Sequence, residues 1–360
     1  MISDIYFPLI YYGFITVIVL FYCIPLVYIE NLVKYPKINE IVGVPLILFF
    51  IITFIGFRNP YGEEKYFGDT YTYTLIYENL TDSDFGFSFL MKFCKTILGL
   101  NITLFFFVCS LLYVGLHFLA LRKWFRHDVF FPFLVLITTM FFFSFGVNGV
   151  RTGLGFSLFF FALSRENVWV KYIFMFLSIS MHTSLALPLI AYFFSYIRFI
   201  TIKTYLKIWV LSIIVSLLAG IQIMEFVGSK LTFVLSGDGR TEGYLSKDVA
   251  SGPFRFDFII YSALPLLLSY YYIYVKKFSD SFYEKIVKIY IIVNTFWILI
   301  IYANYTNRFA SLSWFLIPML LVYPIFKDKF LIKKQPSFLL KIIFFQLIFT
   351  LIMFFKDYLS

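Results

Sequence analysis

The chain has 360 residues, of which 61% are hydrophobic and 14% are charged. Soluble chains carry about 25% charged residues, so this composition excludes a soluble globular protein. The net charge is +10, but the basic residues lie in short clusters between apolar runs, which is typical of the loops of membrane proteins. We therefore expect a membrane-embedded chain in contact with lipid, and no nucleic-acid partner.

Apolar runs bounded by polar residues predict an all-α polytopic integral membrane protein with about 10 full transmembrane helices. The predicted spans, in chain order, are 5–29, 41–57, 102–121, 129–146, 150–163, 208–227, 258–275, 286–303, 309–326 and 338–355. Residues 1–360 are expected to form a single transmembrane domain. Residues 58–100 form its first outer loop, which ends in an amphipathic helix at the membrane interface. A long outer, periplasmic loop follows at 228–257.

One apolar stretch, Lys171–Tyr196, is interrupted by His182 and Pro188. If it crossed the membrane once, the later basic clusters would move to the outside. The positive-inside rule therefore favours a stretch that returns to its side of entry. We predict a hairpin of two short helices with His182 at its tip. Interrupted helices at membrane depth line enclosed or watery cavities, so the hairpin indicates a functional site on the outer face.

An arginine among four glycines is the most informative local pattern. Arg151 lies within the segment Gly146–Gly155, between two predicted spans. One interpretation is an interfacial charge that reaches the headgroups. The other is an anion site, because glycines let a large ligand approach the backbone and a guanidinium binds phosphate oxygens bidentately.

Other outer-face residues have two interpretations each. His182 either satisfies a backbone hydrogen bond or acts as a base or phosphate donor near neutral pH. Asp69 and Tyr73 belong to a loop that either closes the helix bundle or binds saccharide hydroxyls. Arg240 and Arg255 lie in the long loop, where surface solvation is the default, and Asn307-Arg308 adds a further outward cation.

The triplet Asp82-Ser83-Asp84 is similar to a DxD metal motif, but it directly precedes the interfacial helix. Helix capping is the better account of its acidic residues. The sequence has no P-loop, GxGxxG, HExxH or zinc-type cluster, and its three cysteines are isolated in or beside apolar stretches. We expect no cofactor and no metal.

Together these residues resemble the Wzy-type bacterial polysaccharide (O-antigen) polymerases, and in particular their EpsG-like branch. Five groups of residues carry the resemblance: an outer loop in which an arginine is followed by glycine, aspartate and tyrosine, a Leu-Gly pair before the third span, an arginine that opens a span followed by a basic turn, an H-x-S element leading to proline, and a late Asn-Arg pair. The matching residues are Arg58, Gly68, Asp69, Tyr73, Leu98, Gly99, Arg151, Lys171, His182, Ser184, Ala186, Pro188, Asn307 and Arg308. The chain departs from the family pattern with Thr152 in place of glutamine and with Leu185 between the serine and the alanine.

The resemblance implies a GT-C-like helical fold in the bacterial cytoplasmic (inner) membrane, with the active site facing the periplasm. The implied partners are undecaprenyl-pyrophosphate-linked glycans, as donor and acceptor, and a chain-length regulator. Arg151 and Arg308 would bind pyrophosphate, assisted by Arg58. His182 would be the base or a phosphate donor, with Asp69 as the competing base. Tyr73, Arg240 and Arg255 would contact saccharide.

Two alternatives stay open at this point. An O-antigen ligase, or another lipid-linked glycosyltransferase of the GT-C type, would use the same donor and the same residue types. A transporter of the lipid-linked unit would show repeat symmetry and charges along a membrane path. The sequence shows neither of these two transporter features.

Overall fold

The computed structural model of the chain describes residues 3–28, 39–81, 83–197, 199–235, 253–328, 331 and 334–359. Within these ranges every regular element is a helix. Several of the helices are long and apolar. The prediction of an all-helical, multi-pass membrane protein is therefore confirmed.

The α-helices of the described ranges are numbered here in chain order. They are α1 (Tyr6–Cys23), α2 (Val44–Gly56), α3 (Glu64–Phe67), α4 (Thr70–Asn79), α5 (Phe85–Lys92), α6 (Ile102–Phe125), α7 (Phe130–Ile137), α8 (Met140–Val147), α9 (Val150–Leu163), α10 (Val168–Met181), α11 (Ala186–Phe194), α12 (Ile202–Leu235), α13 (Phe256–Tyr270), α14 (Ser281–Leu299), α15 (Thr306–Trp314), α16 (Ile317–Lys327) and α17 (Gln335–Leu359).

Seven helical segments of the described chain are long and apolar enough to cross a membrane, or eight if one bent pair counts as a span. They are Tyr6–Val27, Asn39–Gly56, Ile102–Phe125, Ile202–Val227, Phe256–Val275, Thr306–Lys327 and Gln335–Leu359. The described ranges thus do not reach the predicted number of about ten full spans.

The predicted span at 129–146 is the bent pair. Helices α7 and α8 meet at an angle of 70°. The hydroxyls of Thr138 and Thr139 donate to carbonyls of the preceding turn, those of Val135 and Leu136. Hydroxyls that bond back to the backbone favour a local bend, and hydropathy alone does not report it.

Two further predicted segments fold as short helices. Helices α9 and α10 have 14 residues each, which is about 21 Å at 1.5 Å per residue and less than the roughly 30 Å of a hydrocarbon core. The Asn167 side chain caps α10 by accepting from the amides of Trp169 and Val170. Helix α10 ends at Met181, because His182 is extended (φ −158°, ψ 120°). The interruption predicted at His182 is confirmed, and the hairpin arrangement stays a prediction.

The chain divides into two compact units, residues 1–182 with 325–360 and residues 183–324. In the first unit, α9 is central and packs on α6, α8 and α10. All of its residues except Thr152 and Phe161 are buried. A helix that is buried on all sides is a core element. The packing of α9 therefore determines where the residues at its two ends lie.

In the second unit, α14 packs on α11, α12 and α15. Its centre holds Asn294, which is fully buried and accepts a hydrogen bond from the Trp209 indole N–H at 2.7 Å. The Asn294 amide also donates to the hydroxyls of Ser262 (3.1 Å) and Ser313 (2.9 Å). This network joins four helices through side-chain hydrogen bonds.

The first outer loop is more ordered than its sequence predicts, because α3 and α4 precede the amphipathic helix. That helix begins at Phe85 as predicted. Phe85, Phe89 and Ile97 are exposed, whereas Phe87 and Met91 are buried. Its location at the membrane interface stays a prediction. At the other loop, α12 continues to Leu235, into the segment predicted as loop from residue 228.

Candidate functional site

The glycine-rich segment forms the turn that starts α9. Helix α8 ends at Val147, and α9 begins at Val150 after Gly149. The Asn148 side chain accepts from the Asp69 amide at 2.8 Å, and the Thr70 hydroxyl donates to the Val147 carbonyl at 3.0 Å. These two hydrogen bonds attach the first outer loop to the turn before α9. Arg151 is the second residue of that helix.

This attachment requires glycine at position 68. Gly68 has φ +51° and ψ −128°, a conformation that L side chains rarely adopt. A Cβ at this position would also overlap the Asn148 side chain. The glycine that precedes Asp69 is therefore explained by the close approach of the loop to the start of α9.

Arg151 is 9% exposed and is held by the end of the same outer loop. Its Nη1 donates to Asp84 Oδ2 at 2.8 Å and to the Ser83 hydroxyl at 2.9 Å. The guanidinium carbon lies 5.8 Å from the centroid of the Tyr73 ring. A cation this deeply buried requires compensating charge, and the Asp84 carboxylate supplies it.

His182 contacts the same carboxylate oxygen of Asp84. Its Nδ1 lies 3.2 Å from Asp84 Oδ2, and its side chain is 29% exposed, against 10% for Arg151 and Asp84. We call Asp84, Arg151 and His182 the outer-loop cluster. It combines a fixed cation, a carboxylate and a partly exposed imidazole.

Close helix packing sets the position of the outer-loop cluster. The Ser178 hydroxyl of α10 donates to the Gly155 carbonyl of α9 at 2.7 Å. A Cβ on Gly86 of α5 would overlap the Ser180 hydroxyl of α10. The start of α5 therefore lies directly against the end of α10, which brings Asp84 within reach of His182.

Asp84 is the residue that sequence reasoning missed, and the capping interpretation of its side chain is wrong. Asp84 occupies the N-cap position of α5 but makes no side-chain cap hydrogen bond. Its carboxylate accepts from Arg151 Nη1 and contacts His182 Nδ1 instead. The signal in the sequence was the DxD-like triplet in the outer loop. Its first residue, Asp82, lies outside the described residues.

Arg58 lies inside the first unit, 1% exposed, where burial lowers the pKa of its guanidinium to about 10. Its Nη1 donates to the carbonyls of Ile55 (2.9 Å) and Gly146 (3.4 Å), and its guanidinium carbon lies 3.9 Å from the centroid of the Phe106 ring. The Nε and Nη2 atoms have no hydrogen-bond partner. Arg58 thus contacts the first residue of the glycine-rich segment, and its role in pyrophosphate binding stays a prediction.

The remaining predicted residues have varied surroundings. Tyr73 is buried and packs edge-on against Phe87. Arg255 pairs bidentately with Asp257 at 2.8 and 2.9 Å. Arg308, in the second unit, lies with its guanidinium carbon 4.9 Å from the centroid of the Tyr305 ring. Arg240 lies outside the described residues. The saccharide and pyrophosphate roles of these residues stay predictions.

Among the acidic, histidine and cysteine side chains that the structure describes, no group of three or more is placed to hold a metal ion. In the outer-loop cluster the Asp84 carboxylate faces an arginine.

Comparison with known proteins identifies the family. A family model described as the EpsG family matches residues 41–359, and the chain belongs to this family. No curated protein and no solved structure matches the chain. The resemblance seen in the sequence is thereby confirmed at the level of the family, which indicates a role of the polysaccharide-polymerase type.

Proposed function

From its membership of the EpsG family, we propose that the chain polymerises undecaprenyl-pyrophosphate-linked oligosaccharide repeat units into O-antigen or a related surface polysaccharide. The growing glycan moves from its lipid carrier to the non-reducing end of a new lipid-linked unit. The proposed location is the periplasmic side of the bacterial cytoplasmic membrane. The proposed architecture is GT-C-like, with a helical membrane domain whose outer loops carry the site.

The observation that carries this proposal is the buried guanidinium of Arg151 beside His182. Transfer of a glycosyl group from pyrophosphate places additional negative charge on the leaving group. A fixed cation in a partly dehydrated site stabilises such charge without reorganising at the moment of reaction. Arg151 meets this requirement, since two acceptors and the ring of Tyr73 hold it in place.

The second requirement is a group that takes the proton of the acceptor hydroxyl. His182 is the most exposed member of the outer-loop cluster, and an imidazole suits proton transfer near neutral pH. Asp69 is the competing base. Arg308 and Arg58 are proposed to assist with pyrophosphate, and Tyr73, Arg240 and Arg255 with the sugars.

Metal-independent transfer is part of the proposal, with arginine side chains in the place of a divalent cation. Positioning two large lipid-linked partners is the other part of catalysis, because holding reactants together removes much of the entropic barrier. The outward orientation rests on the excess of basic residues in the loops assigned to the cytoplasm.

The test is a surface-polysaccharide gel of a strain that lacks the gene, complemented with variants of equal membrane abundance. Arg151→Ala is expected to leave core plus one repeat unit, since loss of one such donor costs roughly 10²–10³-fold in rate. Arg151→Lys is expected to restore the ladder partly, because lysine keeps the charge but loses the planar fork. The control is Arg122→Ala, which removes an exposed arginine at the end of α6.

Other outcomes assign other functions. Long chains that form but stay on the lipid carrier would identify a ligase. A ladder that is unchanged without the gene would contradict both enzymes and favour a transporter.

A further inference from the structure

We infer that Asp84 is a positioning residue of this site, which holds His182 through Nδ1 so that Nε2 is the nitrogen that takes the acceptor proton. The inference rests on the proposed function and adds to it a residue and an atom. It starts from the single carboxylate oxygen, Asp84 Oδ2, that contacts both Arg151 and His182.

The location of the proton follows from the chemistry of the pair. A carboxylate only accepts hydrogen bonds, so the contact of 3.2 Å between His182 Nδ1 and Asp84 Oδ2 requires the hydrogen to lie on Nδ1. In the neutral ring the lone pair then lies on Nε2. Because the His182 backbone is extended at the end of α10, the ring departs from the helix, and its side chain is 29% exposed.

Asp84 is itself held by Arg151. Arg151 Nη1 lies 2.8 Å from the same Oδ2, and it also donates to the neighbouring Ser83 hydroxyl. The Asp84 side chain is only 10% exposed, so it has little room to adopt another rotamer. The imidazole is therefore oriented by a carboxylate that is fixed before any ligand binds.

The backbone around Asp84 is fastened without its carboxylate. The Ser83 amide donates to the Ser88 hydroxyl at 2.9 Å. The close approach of Gly86 to Ser180 sets α5 against α10. Substitution of Asp84 is therefore expected to leave the backbone of the loop in place. It removes the orientation of His182 and also the compensating charge of Arg151, which keeps the Ser83 hydroxyl as an acceptor.

Asp84 supports the transfer of the glycosyl group, in which His182 takes the proton of the acceptor hydroxyl. The acceptor oxygen forms a bond to the anomeric carbon of the donor sugar, and its proton passes to His182 Nε2. The bond between that carbon and the pyrophosphate oxygen breaks, and its electron pair leaves with undecaprenyl pyrophosphate. Asp84 stabilises the imidazolium that forms, and it does not contact the reacting atoms.

The first test measures the tautomer by ¹⁵N NMR of histidine-labelled full-length protein in detergent, at a pH where the ring is neutral. The chain has three histidines, so His117→Gln and His127→Gln variants assign the His182 signals. The expected result is a protonated Nδ1 in the wild type and a change toward protonated Nε2 in Asp84→Ala. Protonated Nε2 in the wild type would overturn the inference, whatever the activity.

The second test measures kcat and KM with purified lipid-linked repeat units. Asp84→Ala is expected to lower kcat by roughly 100-fold, the cost of a misplacement of about 1 Å, with little change in KM. In the His182→Ala background the same substitution should cost less than in the wild type, because residues that act as a unit are not additive. The loss that remains reports the missing charge beside Arg151. Asp84→Asn keeps an acceptor and is expected to fall between the wild type and Asp84→Ala.

The matched control is Glu64→Ala, which removes an exposed acidic residue at the start of α3 in the same outer loop. It should leave kcat and KM unchanged. Independent, multiplicative losses in the double variant, or a loss confined to KM, would overturn the role of Asp84. A wild-type protein that forms no polymer but shows the expected tautomer would overturn the proposed function alone.

Discussion

Replacement of Asn294 by leucine tests the packing of the second unit. Asn294 is fully buried and takes part in three side-chain hydrogen bonds. Leucine has a similar volume but no polar atoms, so the Trp209 indole N–H loses its acceptor. The two serine hydroxyls lose one donor each, but Ser262 keeps a hydrogen bond from Trp314 and Ser313 donates to the Ala310 carbonyl.

The expected cost follows from the group that is left without a partner. A buried donor without an acceptor costs about 1–3 kcal/mol. Hydrogen bonds between membrane helices average about 0.6 kcal/mol in double-mutant cycles. The serines retain other partners, so the Trp209 N–H dominates, and we expect a loss of about 1–3 kcal/mol in the free energy of unfolding.

The assay is the Tm of purified protein in detergent, followed by intrinsic tryptophan fluorescence and by loss of the monodisperse species. Thr295→Val is the matched control on the same helix, because the Thr295 hydroxyl is buried without a hydrogen-bond partner. Its loss should leave Tm unchanged or raise it. Equal Tm values for Asn294→Leu and Thr295→Val would refute the reasoning.

Three further predictions concern the first unit and the interruption of the helix at His182. Gly68→Ala is expected to cost about 1–3 kcal/mol in backbone strain and to lower polymer yield; an unchanged ladder on a gel would contradict the contact with Asn148. Arg58→Met should leave Tm unchanged or higher, because it removes a buried cation with two unpartnered nitrogens, while polymer yield falls; a large loss of Tm would show a structural role. A cysteine introduced by Thr183→Cys should react with a membrane-impermeant thiol reagent added from the periplasm, and labelling from the cytoplasm alone would reverse the topology.

The sequence predicted the helical class and the break at His182. The described residues hold fewer full spans than predicted, because hydropathy does not distinguish a helix buried in protein from one buried in lipid. Helix α9 is the example: most of its side chains are apolar, yet nearly all of its residues are buried inside the protein. Its length is set by the turn at Gly149 and by the bend at Ser164.

The pairing of Asp84 could not be predicted in the same way. From sequence alone, a carboxylate directly before a helix is readily interpreted as a helix cap. The alternative partners, Arg151 and His182, are 67 and 98 residues away along the chain. Only the packing of α5 on α10 and of α10 on α9 brings the three side chains together.

The most direct test of the account is reconstitution of the purified protein in liposomes with undecaprenyl-pyrophosphate-linked repeat units. The account predicts a ladder of lipid-linked polymer with the wild type, and only unpolymerised units with Arg151→Ala and His182→Ala of equal purity and monodispersity. A ladder of wild-type intensity from Arg151→Ala, or no polymer from the wild type, would contradict it.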